Sequence, residues 1–196
     1  MTLENLCVVL VAPSGALNIG SVARAMANFG VNDLRLVTPQ TDHLQDAARK
    51  MAVKATPILE QATLFEDLAS ALTDCRFAIG TTRRFGKYRE NLLHPDEAAR
   101  TLLPLLAKGC VALVFGREDR GLKTEELDLC QRLITIPTND QLPSMNLAQS
   151  VAVCLYEVAK MHGSGNVAGA GRKLATVTQL EDMFDHMRRS FRDIGY

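Results

Sequence analysis

The 196-residue chain reads as an α/β protein, with a mainly parallel sheet flanked by helices. Three observations predict this. Short apolar runs of strand length alternate with segments of helical pattern, the signature of strand–helix–strand units. The first run, Leu6–Ala12 (LCVVLVA), is apolar at every position, as a strand covered on both faces must be. Apolar residues make up 47% of the chain and charged residues 22%, ordinary globular proportions that allow a buried core without disulfides or metals.

The elements follow in order. Leu6–Ala12 is the first strand, and a helix rich in small residues spans Ile19–Phe29. Leu34–Val37 is a strand and His43–Ala52 a helix. Thr63–Leu72 opens with a T-x-x-E capping box and is predicted as a helix. Arg76–Gly80 is a strand, and His94–Ala107 is a helix with Pro95 at its start, where a missing N–H costs nothing. Val111–Phe115 is a strand, Leu122–Cys130 a short helix, Leu133–Ile136 a strand and Leu147–Lys160 a helix. A glycine-rich stretch, Gly163–Gly171, reads as a linker rather than a dinucleotide loop, because no strand precedes it. Thr178–Glu181 forms another capping box, and Leu180, Phe184, Met187 and Phe191 recur at helical spacing beyond it. The domain boundaries expected are 1–162 for the α/β domain, 163–172 for the linker and 173–196 for a helical extension.

The formal net charge is zero, so any attraction for nucleic acid must come from local patches. Five cysteines (Cys7, Cys75, Cys110, Cys130, Cys154) lie scattered without CxxC spacing, mostly in apolar segments. They read as reduced core residues of a cytoplasmic protein, and with four dispersed histidines no metal site is expected. The first apolar run is too short for a signal peptide or a membrane span.

Three segments hold residues that packing alone does not explain. In Asn18–Gly30 (NIGSVARAMANFG), small residues permit close helix packing, Asn18 stands where an N-cap belongs, and Arg24 interrupts the run. Arg24 is either a solvated helix residue or a guanidinium near the strand edge where open α/β sheets bind ligands. In Val111–Leu122 (VALVFGREDRGL), a buried strand runs into Gly116, where backbone can approach a ligand, and then into charges that include Glu118. This segment reads equally as a charged turn. In Leu133–Ala148 (LITIPTNDQLPSMNLA), a strand is followed by a polar loop and then by Pro143-Ser144-Met145-Asn146 at a helix N-terminus, whose free N–H groups suit a polar ligand.

Taken together these segments contain N-x-G-S-x-A-R, F-G-x-E-x-x-G-L and S-x-N-L-A-x-S-V in that order. They resemble the three motifs of the SPOUT superfamily, in its TrmH-like RNA 2′-O-methyltransferase branch, over roughly residues 5 to 160. Leu174–Tyr196 resembles the start of the C-terminal extension of the bacterial tRNA (cytidine/uridine-32)-2′-O-methyltransferases. The resemblance implies a deep trefoil knot in the C-terminal part of the sheet, an exception to the rule against knotted chains. It implies S-adenosyl-L-methionine as methyl donor, tRNA as substrate and a homodimer with the sites near its interface. Donor contacts are then expected from Thr81, Thr82, Arg83, Gly116, Ile136, Pro143, Ser144 and Met145. Catalytic and RNA-facing candidates are Asn18, Arg24, Glu118, Ser144 and Asn146. The basic, aromatic loop Arg83–Arg89 (RRFGKYR) suits single-stranded RNA, through phosphate contact and base stacking. The extension is expected to continue beyond Tyr196 and to carry further tRNA-binding surface.

Three other readings compete. Ribosomal RNA as substrate, or a silent RNA-binding module of the same fold, fits the class, although the intact motifs speak against silence. A nicotinamide-binding fold needs a glycine fingerprint after the first strand and an acidic residue ending the second. Ala12–Asn18 (APSGALN) has only Gly15, and the second strand ends at Val37-Thr38, so that reading fails twice.

Overall fold

The structure is a computed structural model. It describes residues 3–83, 92–163 and 177–193. The chain divides into two compact units, residues 1–165 and 166–196.

In the first unit the strands are β1 (Leu6–Val11), β2 (Asp33–Val37), β3 (Thr63–Phe65), β4 (Cys75–Thr81), β5 (Leu92–Leu93), β6 (Cys110–Phe115) and β7 (Arg132–Ile134). They form one sheet in the order β3-β2-β1-β6-β4-β7-β5 among the described residues, and each neighbouring pair is parallel. β1 and β6 are central, and every residue of β1 is buried. A continuous apolar strand of this kind requires layers on both faces. Both are present. One face packs against the helices α1 (Ala16–Asn28), α5 (Pro95–Leu106) and α7 (Leu147–Gly163), through Ile19, Met26, Leu102, Val151 and Leu155. The other gathers Val9, Val11, Ala112 and Val114 with Leu68, Leu122 and Leu127. The shorter helices are α2 (Asp46–Ala52), α3 (Thr56–Glu60), α4 (Leu68–Ala71) and α6 (Thr124–Leu127).

The small residues of α1 are spent inside the protomer. A Cβ at Gly20 would stand 2.2 Å from the Ala48 carbonyl oxygen of α2, so only glycine allows these helices to approach so closely. The T-x-x-E pattern at Thr63 does not start a helix. Thr63–Phe65 is the edge strand β3, paired to Arg35–Val37, and α4 begins only at Leu68. Its N-cap is Asp67, whose carboxylate accepts from the Ser70 N–H at 2.7 Å. Strand pairing has overridden a local signal that is one hydrogen-bonding pattern among several. The helices predicted at His43–Ala52 and Leu122–Cys130 are the shorter α2 and α6, and the strand predicted at Leu133–Ile136 ends at Ile134.

In the second unit, α8 (Val177–Asp193) carries exposed Met183, Phe184, Met187 and Phe191. The Thr178–Glu181 side chains, most of the Arg83–Arg89 loop and all but the first residue of the glycine-rich stretch lie outside the described residues.

Candidate active site

The C-terminal edge of the sheet carries a cleft between the loops that follow β4, β6 and β7. Its lining includes Thr81, Thr82 and Arg83 after β4, Gly116 after β6, Ile136 after β7, and Pro143, Ser144 and Met145 before α7. These are all eight residues expected to contact a donor. Glu118 also lines it. The cleft is open to solvent on one side. Phe115, Leu122, Ile134 and Leu147 add apolar walls.

Short local contacts fix those walls. Thr81 Oγ1 donates to the Val114 carbonyl at 3.1 Å, tying β4 to β6 at the rim. The Thr82 N–H donates to the Ile134 carbonyl at 2.9 Å. Thr138 Oγ1 donates to the Pro143 carbonyl at 3.0 Å and closes the loop ahead of α7. The loop after β6 folds back on itself: Arg117 and Gly121 exchange backbone hydrogen bonds, and Gly121 has φ +71°. A Cβ on Gly116 would stand 2.1 Å from the Gly121 carbonyl carbon. The close approach that demands glycine at 116 is therefore made by the protein's own backbone, rather than by a ligand as its position suggested. Arg117 turns away into a two-pronged ion pair with Glu126, both contacts 2.9 Å, in a half-buried setting. Sequence reading missed this pair, because charge pattern does not reveal which of several carboxylates an arginine meets.

Three motifs meet at Asn18, which bonds Glu118 on one side and Asn146 on the other. Glu118 Oε2 accepts from the Ser14 N–H at 3.1 Å and from Ser14 Oγ at 3.0 Å. Its Oε1 accepts from the Gly15 N–H at 3.0 Å and from Asn18 Nδ2 at 3.0 Å. A carboxylate from the β6 loop thus caps the N-terminus of α1, where orphan N–H groups and the helix dipole favour an anion. Burial works to raise the Glu118 pKa, but hydrogen bonds from Asn18 and from the backbone of Ser14 and Gly15 outweigh it and hold it below the ordinary carboxylate value. Asn18 is not the N-cap that its position suggested. Gly15 occupies that place, and α1 starts at Ala16. The free oxygen of Asn18, Oδ1, accepts from Asn146 Nδ2 at 2.9 Å. Asn146 Oδ1 in turn accepts from the N–H groups of Ala148 and Gln149 at 2.9 and 3.3 Å, so Asn146 caps α7. Ser144 is left exposed in the cleft wall. Sequence reading also missed Ser14 and Gly15, since they contribute mainly backbone donors.

Arg24 is not drawn into this network. It is exposed on α1 and makes no hydrogen bond or ion pair with the described residues.

Comparison with known proteins fixes the family. Residues 5–156 match the SpoU rRNA Methylase family. The chain belongs to the SpoU methylase family. Its similarity to individual SpoU proteins extends beyond the matched segment. It is 39% identical over 206 residues to the tRNA (cytidine/uridine/adenosine-2′-O-)-methyltransferase TrmJ of Pseudomonas aeruginosa, an alignment covering 99% of this chain and 80% of the relative. It is 42% identical over 155 residues to the tRNA (cytidine-2′-O-)-methyltransferase TrmJ of Methanocaldococcus jannaschii, covering 77% and 66% of the two chains. The crystal structure of TrmJ from Z. mobilis superposes with a TM-score of 0.73 at 35% identity, covering 97% of this chain and 81% of that one. The sheet and its flanking helices are therefore those of a SpoU enzyme.

Proposed function

We propose that this SpoU protein transfers a methyl group from S-adenosyl-L-methionine to a ribose 2′-oxygen of tRNA, at the cytidine or uridine of position 32 in the anticodon loop, as a cytoplasmic homodimer. The observation that carries the reading is the Glu118–Asn18–Asn146 chain, which locks all three family motifs into one rim beside the cleft. The names of the relatives support tRNA as substrate. The expected knot is supported by the strand order, in which β7 inserts between β4 and β5 although it follows both in sequence.

The residues of the cleft suit the donor. An adenine ring needs a narrow apolar slot with backbone hydrogen bonds at its edge, and Leu122, Ile136 and Leu147 with the strand-end loops are of that type. When bound, the donor supplies a methyl group activated on a sulfonium. Thr81, Thr82, Arg83, Gly116, Ile136, Pro143, Ser144 and Met145 would hold it, and Ser144 and Asn146 are also the candidates for contact with the RNA. Glu118 has both oxygens engaged, so its part is to position Asn18 and the start of α1. An arginine guanidinium offers only donors and no acceptor, so Arg24 does not serve as a base. Its part is to hold an RNA phosphate and to stabilise the charge developing on the 2′-oxygen, while the proton passes to phosphate or water. The homodimer is supported by Leu17 on α1 and Tyr156 on α7, which are 57% and 52% exposed.

Mass-spectrometric mapping of ribose methylation in RNA from a deletion strain tests the proposal. Loss of 2′-O-methylation at position 32 of tRNA is expected. An unchanged tRNA with a methyl group missing from ribosomal RNA would favour the second substrate class, which the family's own description names.

A further inference from the structure

At the opposite edge of the sheet, three cysteines that are far apart in sequence meet. Cys7 lies near the start of β1, and Cys75 and Cys110 are the first residues of β4 and β6, paired in register. The three strands are adjacent in the sheet. Their sulfurs are mutually close: Cys75–Cys110 3.4 Å, Cys7–Cys110 3.7 Å and Cys7–Cys75 3.8 Å. All three cysteines are free thiols, Cys7 buried and the other two half-buried.

We propose that Cys7, Cys75 and Cys110 form a binding site for a thiophilic metal ion, Zn2+, separate from the methyl-transfer cleft. Three thiolates bound to zinc at about 2.3 Å occupy one face of a tetrahedron whose edge is about 3.8 Å. The observed separations approach that edge, so little movement is needed to admit the ion. Soft sulfur ligands select zinc or cuprous copper over magnesium and calcium. The near-tetrahedral edge favours zinc, since a flat three-coordinate site at the same bond length needs about 4.0 Å.

A second, independent feature points the same way. The guanidinium of Arg35 reaches the cluster, with Nη1 3.6 Å from Cys75 Sγ and Nη2 3.6 Å from Cys110 Sγ. Arg35 is buried and is held there by Asp33 and Asp74. A fixed cation donating N–H groups to sulfur stabilises thiolates, and it offsets the net negative charge that three thiolates retain around Zn2+. Binding displaces the thiol protons to solvent as the thiolates take up the ion. The ion would tie β1, β6 and β4 together at their N-terminal ends, about 20 Å from the cleft along the strands.

The test is an anaerobic titration of the full-length, fully reduced chain with Co2+, followed by displacement with Zn2+. One equivalent of Co2+ is expected to give a thiolate-to-cobalt charge-transfer band and the absorption of a tetrahedral ion, both abolished by Zn2+. Cys75→Ser and Cys110→Ser, each checked for folding by circular dichroism, should lose the band. Cys130→Ser, outside the cluster, should keep it. Wild-type protein that takes up no Co2+, or a band that survives in both variants, would overturn the site. Cuprous ion binding with no uptake of Co2+ or Zn2+ overturns the choice of zinc. A reduced chain that binds no metal and instead loses two titratable thiols on exposure to peroxide would show a disulfide pair in its place.

Discussion

Asn146 donates through Nδ2 to Asn18 Oδ1 at 2.9 Å, across 128 residues of sequence. One amide thus joins the start of α7 to the start of α1, while its own oxygen caps α7. Removing it by Asn146→Ala should cost about 0.5–2 kcal/mol through the lost cap. A double-mutant cycle with Asn18→Ala, read by denaturant unfolding, should show about 0.5–1.5 kcal/mol of coupling. Additive effects would mean that the two amides do not act as a pair.

Glu118→Gln should destabilise the protein by about 1–3 kcal/mol at neutral pH, since several donors lose a charged acceptor. The folded pKa of Glu118 is depressed below its ordinary 4.5. The carboxylate's contribution is therefore complete above that value and fades as the pH falls through the folded pKa. The gap in stability between wild type and Glu118→Gln should be constant at pH 6–7 and narrow below about 4.5. A gap that stays constant down to pH 3 would contradict the capping role.

Arg24→Ala should lose on the order of 10²-fold or more in turnover, as removal of a transition-state donor does elsewhere. Donor affinity, read by calorimetry, should be unchanged, because Arg24 does not line the cleft. Arg24→Lys should recover part of the rate, keeping the charge and losing the two-pronged geometry. Near-normal tRNA methylation by Arg24→Ala would make Arg24 a plain solvated residue.

Leu17→Glu should convert a dimer to a monomer in light scattering at micromolar concentration. Leu17 is 57% exposed on α1, and a charge there would meet an apolar partner surface. Wild-type protein that scatters as a monomer would rule out the homodimer.

Deleting residues 172–196 should weaken tRNA binding more than donor binding. α8 carries Arg188, Arg189 and Arg192, all exposed, and Arg188 pairs with Asp185. Their loss should also flatten the salt dependence of the tRNA affinity. Equal tRNA affinity and salt slope with and without the segment would show that it takes no part.

The sheet was legible because buried parallel strands leave an unmistakable apolar run: β1, β4 and β6 lie within a residue or two of where Leu6–Ala12, Arg76–Gly80 and Val111–Phe115 placed them. The cleft residues were named through the motif resemblance, and they gather because strand ends in an α/β sheet converge on one edge. What stayed hidden depends on contacts between distant segments. Thr63 and Glu66 mimic a capping box, and only pairing with β2 makes Thr63–Phe65 a strand. Asn18 looked like a cap because its neighbours are helical, yet the N-cap of α1 is Gly15. The cysteines at 7, 75 and 110 showed no ligand spacing, since three parallel strands, and not a loop, bring them together.

The pairing of β1 with both β2 and β6 has a consequence for synthesis on the ribosome. Leu6 must wait for Val111, its register partner, before the central strand is hydrogen-bonded on both sides. At about 5–20 residues per second, roughly 5–20 s pass between the emergence of the two. During that interval a wholly apolar strand has one open edge in the nascent chain, a template for aggregation. The same delay applies to Glu118 and the start of α1, so the rim beside the cleft is assembled only when more than half of the polypeptide has left the exit tunnel.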